Sequence, residues 1–197
     1  TSLNYLCSVF GKYKAEPVHV RVELLKKISE KISDVSEDLA QLLTLETGKP
    51  IKYSRIEVQR AILTFTLGSE EASRINGELI DLSRIKGSEN VQGIIKRFPV
   101  GVILAITPWN FPVNLVAHKL SPALASGNVV LLKPASASAA CGIEIVKIIK
   151  ECCDEMELGY YPVNVLTAPG SITEEFASDE RVNLVSFTGS SSVGWHL

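Results

Sequence analysis

Three short runs combine residue types that can do chemistry with a backbone stiff enough to aim them. Thr107-Pro108-Trp109-Asn110-Phe111-Pro112 sets an asparagine between two aromatic residues and brackets it with prolines. A carboxamide on so stiff a turn could donate to an oxyanion developing in acyl chemistry, or simply cap the helix that follows. Lys133-Pro134-Ala135-Ser136 places a lysine directly after the apolar run Val129–Leu132. A lysine at a buried strand end can reach a ribose hydroxyl or a phosphate, or remain solvated. Ser136 adds a small hydroxyl where an acidic side chain would repel a 2′-phosphate. In Phe187-Thr188-Gly189-Ser190-Ser191-Ser192-Val193-Gly194, the glycines permit close backbone approach and the serines and helix-start amides can bind a pyrophosphate. Pro169-Gly170-Ser171 is a weaker glycine turn of the same kind. Neither a GxGxxG fingerprint nor a P-loop is present, so the runs together suggest a nucleotide site of non-standard pattern.

Other polar residues offer less. His19 and His196 lack metal-ligand spacing, and no acidic pair at helical spacing on an apolar face suggests a metal, so no metal site is expected. His118 and Lys119 could face the crevice or a solvated helix surface, and Glu70-Glu71 and Glu174-Glu175 read as solvated. Of Cys7, Cys141, Cys152 and Cys153, three lie in or near apolar helical sequence, and the vicinal pair does not easily bridge. Reduced core thiols, and a cytoplasmic protein, are expected.

These runs need a scaffold that brings them together. From Phe98 onward the pattern alternates: strand Val100–Ile106, helix Val113–Ser126, strand Val129–Leu132, helix Ala139–Cys153, strand Val163–Thr167, a short helix Ile172–Ser178, strand Asn183–Phe187 and the start of another helix. Such alternation predicts right-handed crossovers and an α/β, Rossmann-like open parallel sheet. Upstream, Leu24, Leu25, Ile28, Ile32, Val35, Leu39, Leu42 and Leu43 predict one helix over 17–47, with Pro17 in its first turn and Gly48 and Pro50 stopping it. A second helix is predicted over 51–75, with Ile56, Ala61, Ile62, Phe65 and Ala72 apolar and Gly77 at its end. Leu79–Leu82 and Val91–Arg97 read as extended segments around a turn at 87–90, an edge hairpin or an arm toward another subunit. The expected division is a helical part over 1–80, a strand arm over 81–99 and a parallel core over 100–197. Because the chain stops where a helix should extend, a longer protein is expected.

Composition narrows the partners. Twenty basic against twenty-two acidic residues in 197 give a formal charge of −2, which offers nothing to nucleic acid or an anionic membrane. No apolar run approaches the roughly 18–20 residues that span a bilayer, and 46% hydrophobic residues suffice for a core.

PWNFP at 108–112, GN at 127–128, KPAS at 133–136 and FTGS at 187–190, with ETGKP at 46–50 upstream, resemble the aldehyde dehydrogenase family in order and spacing over nearly the whole chain. The resemblance implies an NAD(P)-dependent enzyme oxidising an aldehyde to a carboxylic acid. It implies Asn110 as the oxyanion-hole asparagine, and Ile106, Thr107, Pro108 and Trp109 along the nicotinamide–ribose side. Lys133, with Ala135 and Ser136, would meet the adenosine ribose or its phosphate, and Gly170, Gly189, Ser190 and Val193 would lie near pyrophosphate and adenine. Lys119 matches a lysine near a proton-relay path in relatives. The 81–99 arm would serve oligomerisation, so a homo-oligomer, dimer or tetramer, is implied. Two residues depart from the family pattern. Ser136 stands where many NAD-preferring members carry glutamate, which favours NADP over NAD as the expected cofactor, and Ser192 replaces a frequent glutamate. The family's catalytic cysteine and general-base glutamate lie downstream of FTGS, so these residues alone are expected to be inactive. The likeness to lactaldehyde and non-phosphorylating glyceraldehyde-3-phosphate dehydrogenases points to a small aldehyde substrate. The alternative is a non-catalytic nucleotide-binding module, or one subunit of a split enzyme.

Overall fold

The computed structural model describes residues 2–197, Ser171 by its backbone alone. Helix α1 (Ser2–Ala15) buries Leu3, Leu6, Val9 and Tyr13, spaced three and four apart, and packs on the main sheet. Its Tyr13 hydroxyl donates to the Leu124 carbonyl at 3.0 Å.

Two helices, α2 (Val18–Asp34) and α3 (Ser36–Thr47), stand where periodicity predicts one. Val35 breaks the run at φ −102°, ψ 19°, and its side chain is 37% exposed instead of joining the apolar stripe. The cause is local: Glu37 and Asp38 in the first turn of α3 favour a fresh helix N-terminus immediately after Val35. Pro17 occupies the position before α2 and not its first turn.

Helix α4 (Ile51–Ala72) ends before the predicted 75 and turns a different face inward. Its buried stripe is Ser54, Glu57, Val58, Ala61, Phe65, Ser69 and Ala72, which leaves Ile56 43% exposed. Three polar residues on that stripe find partners inside the protein, which is why counting apolar residues alone misplaces the phase.

Strands β1 (Glu78–Asp81) and β2 (Gln92–Ile95) pair antiparallel as a separate, exposed hairpin with Glu78 opposite Ile95. The main sheet follows. In chain order its elements are β3 (Val102–Ile106), α5 (Asn114–Ala125), β4 (Val129–Lys133), a 3-10 turn at Ser136–Ser138, α6 (Ala139–Glu155), β5 (Val163–Val165), α7 (Gly170–Ala177), β6 (Leu184–Phe187) and α8 (Ser191–His196). The strands are all parallel in the order β5-β4-β3-β6, as the alternating pattern predicts. Every residue of β3 and β4 is buried, the continuous apolar character of a sheet covered on both faces. Helices α2 and α4 pack over α5, and α2 and α3 over α6.

The Gly127-Asn128 pair joins α5 to the sheet. Gly127 turns the chain at φ +81°, and a Cβ there would lie 2.3 Å from an Arg21 guanidinium nitrogen. Asn128 Oδ1 accepts the N–H groups of Val100 (2.7 Å) and Gly101 (3.0 Å), tying the entry of β3 to that of β4.

Candidate functional site

Strand register brings the three sequence runs together. Ile106 pairs with Lys133 on one side and with Phe187 on the other, so the C-terminal ends of β4, β3 and β6 lie in one row. The strand order reverses between β3 and β6, the switch point where open α/β sheets form their ligand crevice. Two adjoining openings occur there. One, of about 380 Å³, is lined by Ile106, Lys133, Gly170, Thr173 and Val193, with Glu174 and His196 3.1 Å apart at its rim. The other, of about 280 Å³, is lined by Pro108, Trp109, Asn110, Thr188, Gly189 and Ser190. At Gly189 a Cβ would lie 2.4 Å from the Phe187 ring, so a larger residue there would have to displace that ring.

Two features of the row fit a dinucleotide. Lys133 is 9% exposed, and burial lowers its pKa with no carboxylate offsetting the shift. Thr107 is 3% exposed and its Oγ1 has no hydrogen-bond partner among the described residues. A buried hydroxyl left without a protein partner is costly unless something else supplies one, and the Lys133 side chain lines the opening beside it. Lys133 and Thr107 would hold the polar groups of such a cofactor. Ala135 and Ser136 follow Lys133 at the entrance of the 3-10 turn, Ser136 exposed, and neither lines either of these two openings.

Lys119 lies apart from this row. It is buried on α5, its Nζ donates to Ser186 Oγ at 3.0 Å, and burial lowers its pKa. It lines a different cleft, of about 830 Å³, with His118, Arg21 and Arg97. The three buried thiols are poor nucleophiles: burial pushes Cys152 up to about 11 and Cys153 to about 12, and Cys141 is raised further by burial and the neighbouring Glu46.

Asn110 does not cap a helix. Val113 holds the cap position of α5, without a side-chain bond, and Asn110 is exposed with its amide unbonded among the described residues. The first amides of α5 go instead to Glu57 Oε1 on α4, from Val113 at 3.0 Å and from Asn114 at 3.2 Å. Lys49 completes the arrangement. It pairs with Glu57, donates to the Asn110 carbonyl at 2.8 Å and sits 4.3 Å from the Phe111 ring centre. Three residues earlier, Glu46 accepts the first amides of α6, from Ala140 at 2.7 Å and Cys141 at 2.8 Å. The 46–57 segment therefore clasps the turns after both β3 and β4. Its signal in the sequence is a carboxylate, Glu57, on the buried stripe of an amphipathic helix.

An open parallel sheet with a buried, unpartnered threonine hydroxyl at the switch point has the architecture of a dinucleotide-binding α/β protein. Residues 8–197 match the aldehyde dehydrogenase family, and the chain belongs to it. It is 42% identical over 175 residues to a 3-sulfolactaldehyde dehydrogenase of Priestia aryabhattai, covering 88% of this chain and 36% of that protein. It is 39% identical over 179 residues to a lactaldehyde dehydrogenase of Methanocaldococcus jannaschii, covering 90% and 37%. The glyceraldehyde-3-phosphate dehydrogenase GapN of Methanocaldococcus jannaschii, solved with NADP, superposes with a TM-score of 0.91 at 37% identity, over 99% of this chain and 42% of that one. Other solved relatives hold NADP or NAD+. The chain thus spans about two fifths of the relatives it matches.

Proposed function

We propose that this sequence forms the cofactor-binding part of an NAD(P)-dependent aldehyde dehydrogenase acting on a small hydroxylated aldehyde of lactaldehyde or glyceraldehyde-3-phosphate type. The observation that carries the reading is the Asn110 amide: it is free of capping duty and shares an opening with the Thr188–Ser190 turn, beside the Lys133 crevice. When bound, NAD(P) accepts the hydride that leaves the aldehyde carbon. The Asn110 amide donates to the oxyanion formed when a cysteine thiolate, supplied by residues beyond these, adds to the carbonyl. Thr107, with Ile106, Pro108 and Trp109, lines the nicotinamide–ribose side. Lys133, Ala135 and Ser136 meet the adenosine ribose, and Gly170, Gly189, Ser190 and Val193 face the pyrophosphate and adenine. Lys119, poised against Ser186, belongs to the proton path on the cleft side of the sheet.

NADP is the favoured cofactor. Ser136 presents no carboxylate to a 2′-phosphate, and the Lys133 cation lining the opening attracts one. The exposed hairpin of β1 and β2 pairs protomers in a homo-oligomer, and the protein works in the cytoplasm. The test is direct. The full-length protein is titrated with NADP and NAD, and its turnover of lactaldehyde and glyceraldehyde 3-phosphate is followed. Tighter binding of NADP and acid formation from either aldehyde are expected. A preference of about tenfold or more for NAD, some 1.4 kcal/mol, would contradict the cofactor assignment, and turnover of neither aldehyde the substrate class.

A further inference from the structure

We propose that Lys49 and Glu57 are positioning residues that aim the Asn110 amide, an inference resting on the oxyanion role given to Asn110 above. The turn from Pro108 to Val113 has no regular structure of its own. Behind it, the Thr107 N–H is fixed by the Lys133 carbonyl at 3.2 Å, and ahead of it α5 begins at Asn114. Helix α5 donates back to the turn, from Leu115 to the Phe111 carbonyl at 2.9 Å and from Ala117 to the Val113 carbonyl at 3.1 Å; the other hydrogen bonds that reach it from outside, among the described residues, come from this pair. Lys49 holds the Asn110 carbonyl, and Glu57 holds the Val113 and Asn114 amides.

The chemistry of the pair suits orientation better than cohesion. An ammonium has three donors, and Lys49 directs one to Glu57 and one to the Asn110 carbonyl while its charge faces the Phe111 ring. Fixing that carbonyl fixes the peptide plane after Asn110, and hence the direction in which its side chain leaves the backbone. Glu57, with 1% of its side chain exposed, anchors Lys49 and the start of α5 with one carboxylate. Apolar residues of similar volume would stabilise such a site at least as well, but they would impose no direction on a carbonyl. Both residues come from the 46–57 segment, remote in sequence from the turn they hold.

The test is a double-mutant cycle on kcat in the full-length enzyme, with thermal unfolding and cofactor affinity measured on each variant. Lys49→Met is expected to lower kcat by about 10- to 100-fold, the scale of an ångström-sized misplacement, with cofactor affinity unchanged. Lys49→Arg, which keeps a cation and donors, restores part of that loss. In an Asn110→Ala background Lys49→Met costs little more, because the group it aims is gone. Should Lys49→Met not fold, Glu57→Gln carries the same cycle, since it keeps an acceptor for the amides and removes the counter-charge of Lys49. Equal kcat losses from Lys49→Met with and without Asn110, or no loss per folded molecule, overturn the positioning role. If Asn110→Ala itself leaves kcat unchanged, the oxyanion reading fails first and this inference falls with it.

Discussion

Replacing Glu57 by alanine tests whether the buried carboxylate holds the site together. The substitution strips the acceptor from the Val113 and Asn114 amides, both buried. Each orphaned amide costs about 1–3 kcal/mol unless water reaches it. It also leaves Lys49 without its counter-charge. Breaking a buried pair costs about 3–5 kcal/mol, but the Lys49 side chain is 16% exposed and can swing toward water, which recovers part of that. The α5 N-terminus loses a favourable anion as well. Because these effects overlap, a net loss of about 3–5 kcal/mol is expected, which lowers the Tm of a longer chain by roughly 3–8 °C. Thermal unfolding of the full-length protein, followed by circular dichroism, measures it. Glu37→Ala serves as the reference, because Glu37 forms two hydrogen bonds to Arg55 on an exposed surface where solvent screens the pair. A Glu57→Ala variant that melts within about 1 °C of the parent, or no lower than Glu37→Ala, would refute the reasoning.

Ser136→Glu should move cofactor preference toward NAD by tenfold or more, a difference of about 1.4 kcal/mol, read as the ratio of Kd values for NADP and NAD; no change would remove position 136 from cofactor choice. Brief iodoacetamide treatment of the native protein, mapped by mass spectrometry, should label Cys7, which is exposed, and spare Cys141, Cys152 and Cys153, which are buried with raised pKa values. Arg55 holds the Glu37 carboxyl down to about 2 from an ordinary 4.5, so its contribution to stability is present above pH 4.5 and disappears as pH falls toward about 2. The Tm difference between the parent and Glu37→Gln should close over that window, and a difference that persists below it would show that pairing is not its source.

The parallel sheet was legible because continuous apolar runs such as Val129–Leu132, each ending in a proline- or glycine-containing turn, leave few other folds open. The three strand ends were expected along one edge of the sheet, and register adds their order, with Ile106 paired to Lys133 on one side and Phe187 on the other. The break at Val35 was hidden because the leucines on either side keep a helical spacing through it. The inward face of α4 was misplaced because Ser54, Glu57 and Ser69 are buried by virtue of partners distant in sequence. For the same reason the residues around Asn110 alone read more readily as a helix cap than as a donor. The cap is removed by Glu57, more than fifty residues upstream, which already occupies the helix start. Lys119 shows the converse, since its place on α5 was clear while the face it presents, toward Ser186, depends on how β6 pairs with β3.

The oxyanion role of Asn110 is tested most directly by Asn110→Ala in the full-length enzyme, with single-turnover kinetics to isolate the chemical step. A loss of about 10²-fold or more in that rate, the usual cost of removing one oxyanion donor, is expected with cofactor affinity intact. An unchanged rate, with chemistry verified as the slow step, would contradict it.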